Sequence, residues 1–597
     1  MAVPYLQPIF VLPNLFSGDL SIHGIEITVN FSNDIAVSFY ATVDPNNTIA
    51  ETNESNNRYP ANGTISLNFR TRDTLKVVGQ RVRYHPSGYG GDQYAGGWAV
   101  NGGAADWWEQ LLPIRNNGIN YVIKSGYLDW TTRVSGGADD QNAAGQHALI
   151  SQLNLNWMME NVFGFLFGTG TLTGAQHVYG WVPSDGYTGG HADMPVYPHA
   201  GGLGVVGIGA DLVGTSTDDP GAGAYIFGHE LTHDYNIYHT DTGGDDCGSN
   251  DGNSDFPYAT SSIQEFGFNP ITGKIYDPAT THDLMSYCPA NGSKQGWISP
   301  FTWNKMFNDL ATTVLNAAAA TTEQPNVGIF YATDAAESLE VHATLRNPAL
   351  FGQPGGQLGQ LHRFAAGLAY ELPKGDYAVE LRRGATVLRR STFAVSFRSE
   401  YASHGWPTAH PEADDPPFTP DPMPEMDVTF VMPWEPGATS VALTFQGQVL
   451  DERPVSNNAP TVQITTPGGS AIWPAGTTQT LAWTGNDADG NALTYSVLYS
   501  HDGGANWALL ATGLSSVSFE LPVDSLAGGS DSRFRVIASD GVNIGFDETD
   551  GPISVPDKAP FAVITHPVAG QSFIPGALVV LQGMGADLEE ARCRKAR

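Results

Sequence analysis

Alternation and helical spacing divide the chain into a helix-bearing stretch and long runs that read as strands. Tyr377-Ala378-Val379-Glu380-Leu381 and the run from Ser440 to Leu450 place apolar and polar residues in turn, the period of a strand with one buried face. Residues 326–456 carry this pattern and are expected to form a β-sandwich domain, interrupted by a long exposed Pro/Asp-rich loop from Pro407 to Met426. Earlier in the chain the period changes. From Ala143 to Val162 the leucines, with Trp157 and Met158, fall largely on one side of a helix. Ser299-Pro300 supplies an N-cap followed by proline at the first helical position, which predicts a helix to about Ala320. Asp219-Pro220 does the same for a helix that runs through His233 in about four turns. Ahead of it, Gly201 to Gly209 reads as a glycine-rich strand. It holds a formal GxGxxG from Gly202 to Gly207, but lacks both the helix opening at those glycines and the later acidic residue that dinucleotide binding requires.

A chain of 597 residues should hold several domains. Residues 1–59 read as the remnant of an all-β sandwich, and Asp44 to Asn57 resembles the closing hairpin of extracellular adhesion-type domains. Its carboxylates and amides offer calcium ligands; a solvated turn is the plainer reading. Residues 60–325 form the helix-bearing domain. Near the other end, Ala459-Pro460 with Ile464-Thr465 and Pro467 recurs 100 residues on as Ala559-Pro560, Ile564-Thr565 and Pro567, and Gly485 and Asp487 recur as Gly585 and Asp587. That offset is the length of an Ig-like sandwich. The first copy, 457–556, resembles bacterial Ig-like or fibronectin-like modules; the second, 557–597, is expected to be truncated. Ser500-His501-Asp502-Gly503-Gly504-Ala505-Asn506-Trp507 matches an Asp-box hairpin, which as a single copy is a turn device rather than an active site.

The formal net charge of −33 disfavours nucleic acid and anionic membranes as partners. No apolar run is long enough to span a bilayer. Met1 to Leu15 has neither a basic head nor a small-residue cleavage site, so a signal peptide is expected to lie outside this sequence, and the composition suits a secreted or cell-surface protein.

One segment carries chemistry. His229-Glu230-Leu231-Thr232-His233 puts two imidazoles four residues apart, on one face of a helix, with a carboxylate beside them. Asn236 stands where the helix must stop and reverse, a left-handed position that glycine fills best and asparagine next best. His239 then follows six residues after His233. The pattern HExxHxxNxxH resembles the extended zinc motif of the metzincin metalloproteases, with Asn236 replacing its glycine. Downstream, Asp283-Leu284-Met285-Ser286-Tyr287-Cys288 resembles that family's Met-turn.

The resemblance implies a multidomain protein: an α+β metzincin-like catalytic domain followed by all-β, Ig-like sandwich domains. It implies Zn²⁺ held by His229, His233 and His239, Glu230 as general base, Met285 as an apolar floor, and Tyr287 as an oxyanion donor. It also makes the strand before the active-site helix, with Gly202, Leu203, Gly204 and Val205, the rim that pairs with a protein or glycoprotein substrate; a tight strand without a ligand role stays open. Of three cysteines, Cys247 follows the third histidine and Cys288 follows the Met-turn. A bridge between them would contribute about 4 kcal/mol by loop entropy, with a reduced pair as the alternative. The Asp/Asn/Gly-dense loop from Asp241 to Asp255 offers a structural Ca²⁺ site or merely turns. A surface adhesin or glycan-binding protein that keeps a non-catalytic zinc, attached through its β-modules, is the rival reading.

Overall fold

A computed structural model of the chain describes residues 35–596 apart from 135–143, 195–202, 215–220, 243–254, 288–294, 311–329, 398–422 and shorter runs, chiefly within 43–56 and 568–580. The protein is multidomain and mostly β. It divides into two compact units, Met1–Thr71 with Phe268–Lys274, and the remainder. No helix among the described residues is long and apolar enough to cross a membrane.

In the first unit Ile35–Phe39 pairs antiparallel with Ile65–Phe69, and Ala41–Thr42 with Arg58–Tyr59. The all-β piece expected to end at Tyr59 thus continues to Phe69, because its closing strand lies beyond that residue. In the acidic hairpin only scattered residues are described; there the Asn53 side chain accepts from Ser55 N at 3.0 Å, as a local turn does.

The second unit is built on a mixed sheet. Its strands are β1 (Leu75–Tyr84), β2 (Ile119–Ile123), β3 (His177–Pro183), β4 (Gly190–Ala192) and β5 (Val206–Asp211), in spatial order β2-β1-β3-β5-β4. All run parallel except β4, which is antiparallel to β5. A parallel sheet needs cover on both faces. Helices α1 (Ala104–Glu109) and α3 (Ala222–His233) cover one face, and α2 (Ala144–Phe167) covers the other. The central strand β3 is buried at every position.

α2 differs from the one-sided helix expected from its sequence. From Leu153 to Phe163 it is buried on all sides, Asn154, Asn156, Glu160 and Asn161 included. Its inner side meets the sheet, and its outer side is covered by the β-domains: Trp157 lies 5.6 Å from the Phe330 ring, Phe163 6.0 Å from His362, and Phe167 4.7 Å from Phe546. The polar residues are partnered, Asn154 donating to Asp193 Oδ2 at 2.7 Å and Glu160 lying 3.1 Å from Lys124 Nζ.

The next domain is a two-sheet sandwich. Its strands are β6 (Phe330–Ala332), β7 (Ser338–Arg346), β8 (Gly355–Phe364), β9 (Leu368–Tyr370), β10 (Tyr377–Arg383), β11 (Thr386–Phe393), β12 (Glu425–Pro433), β13 (Ser440–Phe445) and β14 (Gln448–Pro454). They form sheets β6-β9-β12-β7-β8 and β11-β10-β13-β14, with Phe393 and Phe430 5.3 Å apart across the core. The alternating run Ser440 to Leu450 is two strands joined at Gln446-Gly447, whose φ values of 47° and 87° make the hairpin turn. Met426 belongs to β12 rather than to the Pro/Asp-rich loop, most of which lies outside the described residues.

The module over 457–556 is a second sandwich, with Leu481, Trp483, Val497 and Phe534 in its core. The 100-residue repeat is visible in its register: Val462 pairs with Gly485, and Ala562 pairs with Gly585. Arg594–Ala596 adds a third strand to the second copy. The Asp-box is a turn, in which Asp502 Oδ1 accepts from Asn506 N at 2.8 Å and Trp507 Nε1 donates to Gly504 O at 2.9 Å. Beyond that, Thr169–Gly170, just after α2, pairs with Asn506 and Trp507. The β-domains are therefore one compact unit with the sheet domain, and a single apolar core runs from Val78 through α2 to Leu443 and Ile537.

Candidate metal centre

α3 begins at Ala222 behind Gly221, whose φ of 78° turns the chain into the helix. A Cβ there would lie 2.4 Å from Gly214 N, so only glycine fits. The helix runs 12 residues with Gly221 in the N-cap position, and the cap expected at Asp219-Pro220 lies outside the described residues. Further along the chain, Ser299 does cap α4 (Pro300–Asp309), accepting from Thr302 N at 3.3 Å; the continuation expected beyond Leu310 to Ala320 lies outside the described residues.

The helix is fully buried from Ile226 to His233. It lies close to the sheet because β5 presents glycines to it: a Cβ at Gly209 would be 2.7 Å from Ile226 Cγ2, and one at Gly207 3.2 Å from Leu231. Those bare positions serve helix packing rather than a ligand. After His233 the chain reverses at Asn236, which has the left-handed φ of 58°. The reversal brings His239 back, and the ligand atoms of His229, His233 and His239 all lie within 4.8 Å of one another.

Ring orientation follows from the hydrogen bonds. His229 Nδ1 lies 2.8 Å from Leu284 O, and His233 Nδ1 2.6 Å from Ile237 O. A carbonyl only accepts, so both Nδ1 atoms carry the proton and both Nε2 lone pairs face the centre. His239 Nε2 is 3.0 Å from His229 Nε2, while its Nδ1 is 3.2 Å from the Tyr287 hydroxyl. Burial, followed by the neighbouring imidazole, pushes His229 down to about 3, and His233 is lowered for the same reasons. Three imidazoles with inward nitrogens fit a zinc ion. Burial and then Asp234 raise Glu230 well above the usual carboxylate range, an effect a divalent cation would oppose.

The segment after the third ligand is tied to the motif around Met285. Met285 is buried, and its carbonyl accepts from Thr240 N at 3.1 Å. Asp283 organises the turn: its carboxylate accepts from Met285 N, Ser299 N and Thr302 Oγ1 at 2.8, 2.7 and 3.1 Å. Sequence reading assigned Asp283 no role, although aspartate opening a turn is a recognisable signal. His177 was also missed. It bridges Asp234 Oδ2 and the Tyr235 hydroxyl, each at 2.8 Å, and fastens the end of α3 to β3; nothing in its sequence context marks it.

The expected substrate rim is placed differently. Gly202 lies outside the described residues, Leu203 N donates to Asp193 Oδ2 at 2.8 Å, and Val205 O accepts from Val178 N at 2.9 Å. Gly204 sits between them with φ 69°. β5 has a partner on each side, so among the described strands the sheet ends at β4. β4 adjoins Glu230 directly: a Cβ on Gly190 would stand 2.4 Å from Glu230 Oε1. Cys247, Cys288 and Cys593, and most of the Asp241–Asp255 loop with its candidate calcium site, lie outside the described residues.

No family model matches the chain, and no curated protein matches it. Among solved structures it is similar to the fibronectin(III)-like modules of CbhA from Clostridium thermocellum, at 15% identity, covering 32% of this chain and 82% of that one with a TM-score of 0.15.

Proposed function

We propose that the chain is a secreted zinc-dependent endopeptidase of metzincin type, acting on protein or glycoprotein substrates. The observation that carries this reading is the convergence of His229, His233 and His239, two of them locked by backbone carbonyls with Nε2 inward. The left-handed Asn236 between second and third ligands and the Met285 turn bonded to the third-ligand segment support it. When bound, zinc supplies Lewis acidity toward water and the scissile carbonyl. Glu230, beside the ligands on α3, takes the proton of the attacking water and returns it to the leaving amine. With Nε2 of His239 facing the other imidazoles, its Nδ1–H would donate to the Tyr287 oxygen and leave the phenol proton for the developing oxyanion. β4 offers backbone groups to an extended peptide, and Gly190 lets Glu230 reach that peptide.

Two variants test this on the purified chain. Glu230→Gln should retain zinc and lose at least about a thousandfold in peptide hydrolysis, since an amide cannot accept the water's proton. His239→Ala should lose most of its zinc. Wild type and Glu230→Gln equally inert on denatured protein mixtures would favour the adhesin with a non-catalytic zinc, and unchanged zinc in His239→Ala would remove the third ligand.

A further inference from the structure

The sandwich over 326–456 has an open lateral side where the edge strands of its two sheets, β6 and β11, flank a cleft of about 330 Å³. Its chemistry is polar and charge-paired. Tyr331 and Asp334 enter from β6 and the turn after it, Glu371 from the end of β9, and Arg389, Arg390 and Ser391 from β11. Tyr331 donates its hydroxyl to Glu371. Arg389 donates to Glu435 Oε1 from Nε and Nη2 at 2.9 and 2.5 Å, and Arg390 Nε is 3.6 Å from Glu380 Oε1. The cleft thus brings the Arg389 guanidinium and the Glu371 and Asp334 carboxylates together beside Tyr331, while Arg390, opposite Glu380 in the ladder, turns its side chain to the other face of β11. It is large enough for a small ligand.

We infer that this cleft binds a neutral saccharide, through sugar hydroxyls that bridge the Arg389 donors and the Glu371/Asp334 acceptors beside Tyr331. The lining selects this class by exclusion and by fit. Arg389 is already paired with Glu435, so an anionic ligand would meet Glu371 and Asp334 beside a guanidinium whose charge is already offset. An extended peptide needs apolar pockets for alternate side chains, and the cleft's apolar wall is confined to Ala335, Met432 and Pro433. A hydroxyl accepts from one neighbour and donates to another, so vicinal hydroxyls satisfy such a lining without leaving a desolvated charge unpaired. Guanidinium five-donor forks retain spare N–H groups after these ion pairs. The site lies on a different domain from the three histidines and does not depend on the endopeptidase reading.

The test is binding of the full chain to an array of neutral and acidic oligosaccharides, followed by titration calorimetry with the best neutral hit. Arg389→Ala and Glu371→Gln should each weaken that binding at least about tenfold, the scale set by losing one hydrogen bond to a charged group. Both variants should keep the wild-type melting temperature within a few degrees, and chelation of zinc should leave the affinity unchanged. The proposal is overturned if no neutral saccharide binds at millimolar concentration, if only acidic glycans or peptides bind, or if both variants bind as the wild type does.

Discussion

A methyl group added at Gly190 would lie 2.4 Å from Glu230 Oε1 and equally close to Ile226 Cγ2. The carboxylate is the end of a flexible side chain, so it can swing away and leave the fold intact while losing its position. Gly190→Ala is therefore expected to keep zinc, to melt a few degrees lower through the contact with buried Ile226, and to lower peptide hydrolysis at least about tenfold, as small misplacements of catalytic groups do. Full activity in that variant would detach β4 from the proposed mechanism. Asp193 tests a different property of the same edge. Burial pushes its carboxyl up to about 7, against opposing hydrogen bonds from Asn154 and the Leu203 backbone. A raised folded-state value means the native state holds the proton longer than the unfolded one. Its stabilising contribution is full below the unfolded value and disappears as pH rises through about 7. Between pH 5 and 8 the melting temperature should fall more steeply in wild type than in Asp193→Asn, and parallel curves would show that Asp193 does not titrate in this range.

At the scale of elements, α2 joins the domains. Its C-terminal continuation, Thr169–Gly170, lies along Asn506 and Trp507, and Arg535 stands 4.0 Å from both the Phe167 and Trp507 rings. Trp507 is 3% exposed. Trp507→Ala removes the ring that caps this junction and should destabilise the unit by about 3–5 kcal/mol. Because the core is continuous, fluorescence of the sheet domain and secondary-structure signal of the β-module should shift to lower denaturant together. A shift confined to the module would show the two to be energetically separate. The sequence of α2 shows a helix but not its environment: Asn154, Asn156, Glu160 and Asn161 read as a solvated face, and Asp193, Lys124 and the Gly174 backbone become their partners only once distant segments meet.

Across the whole molecule, local chemistry was legible and assembly was not. The turn at Asn236, the paired histidines one helical turn apart, the Ser299 cap, the Asp-box hairpin and the 100-residue repeat all depend on a few neighbouring residues, and the structure shows each where its residues placed it. Backbone sterics and short-range hydrogen bonds act within a turn or two, so a sequence states them directly. What required the tertiary structure is every feature made between segments far apart in the chain. Among the described strands the sheet ends on this side at β4 rather than at the glycine-rich strand, because β4 returns antiparallel beside β5. Gly207 and Gly209 of that strand admit α3, because strand register turns them to the helix. The β-domains share the core of the sheet domain because the outer side of α2 is apolar and two sandwiches close over it. Hydrophobic burial is non-directional: it dictates that such a face be covered, and only the packed chain decides by what.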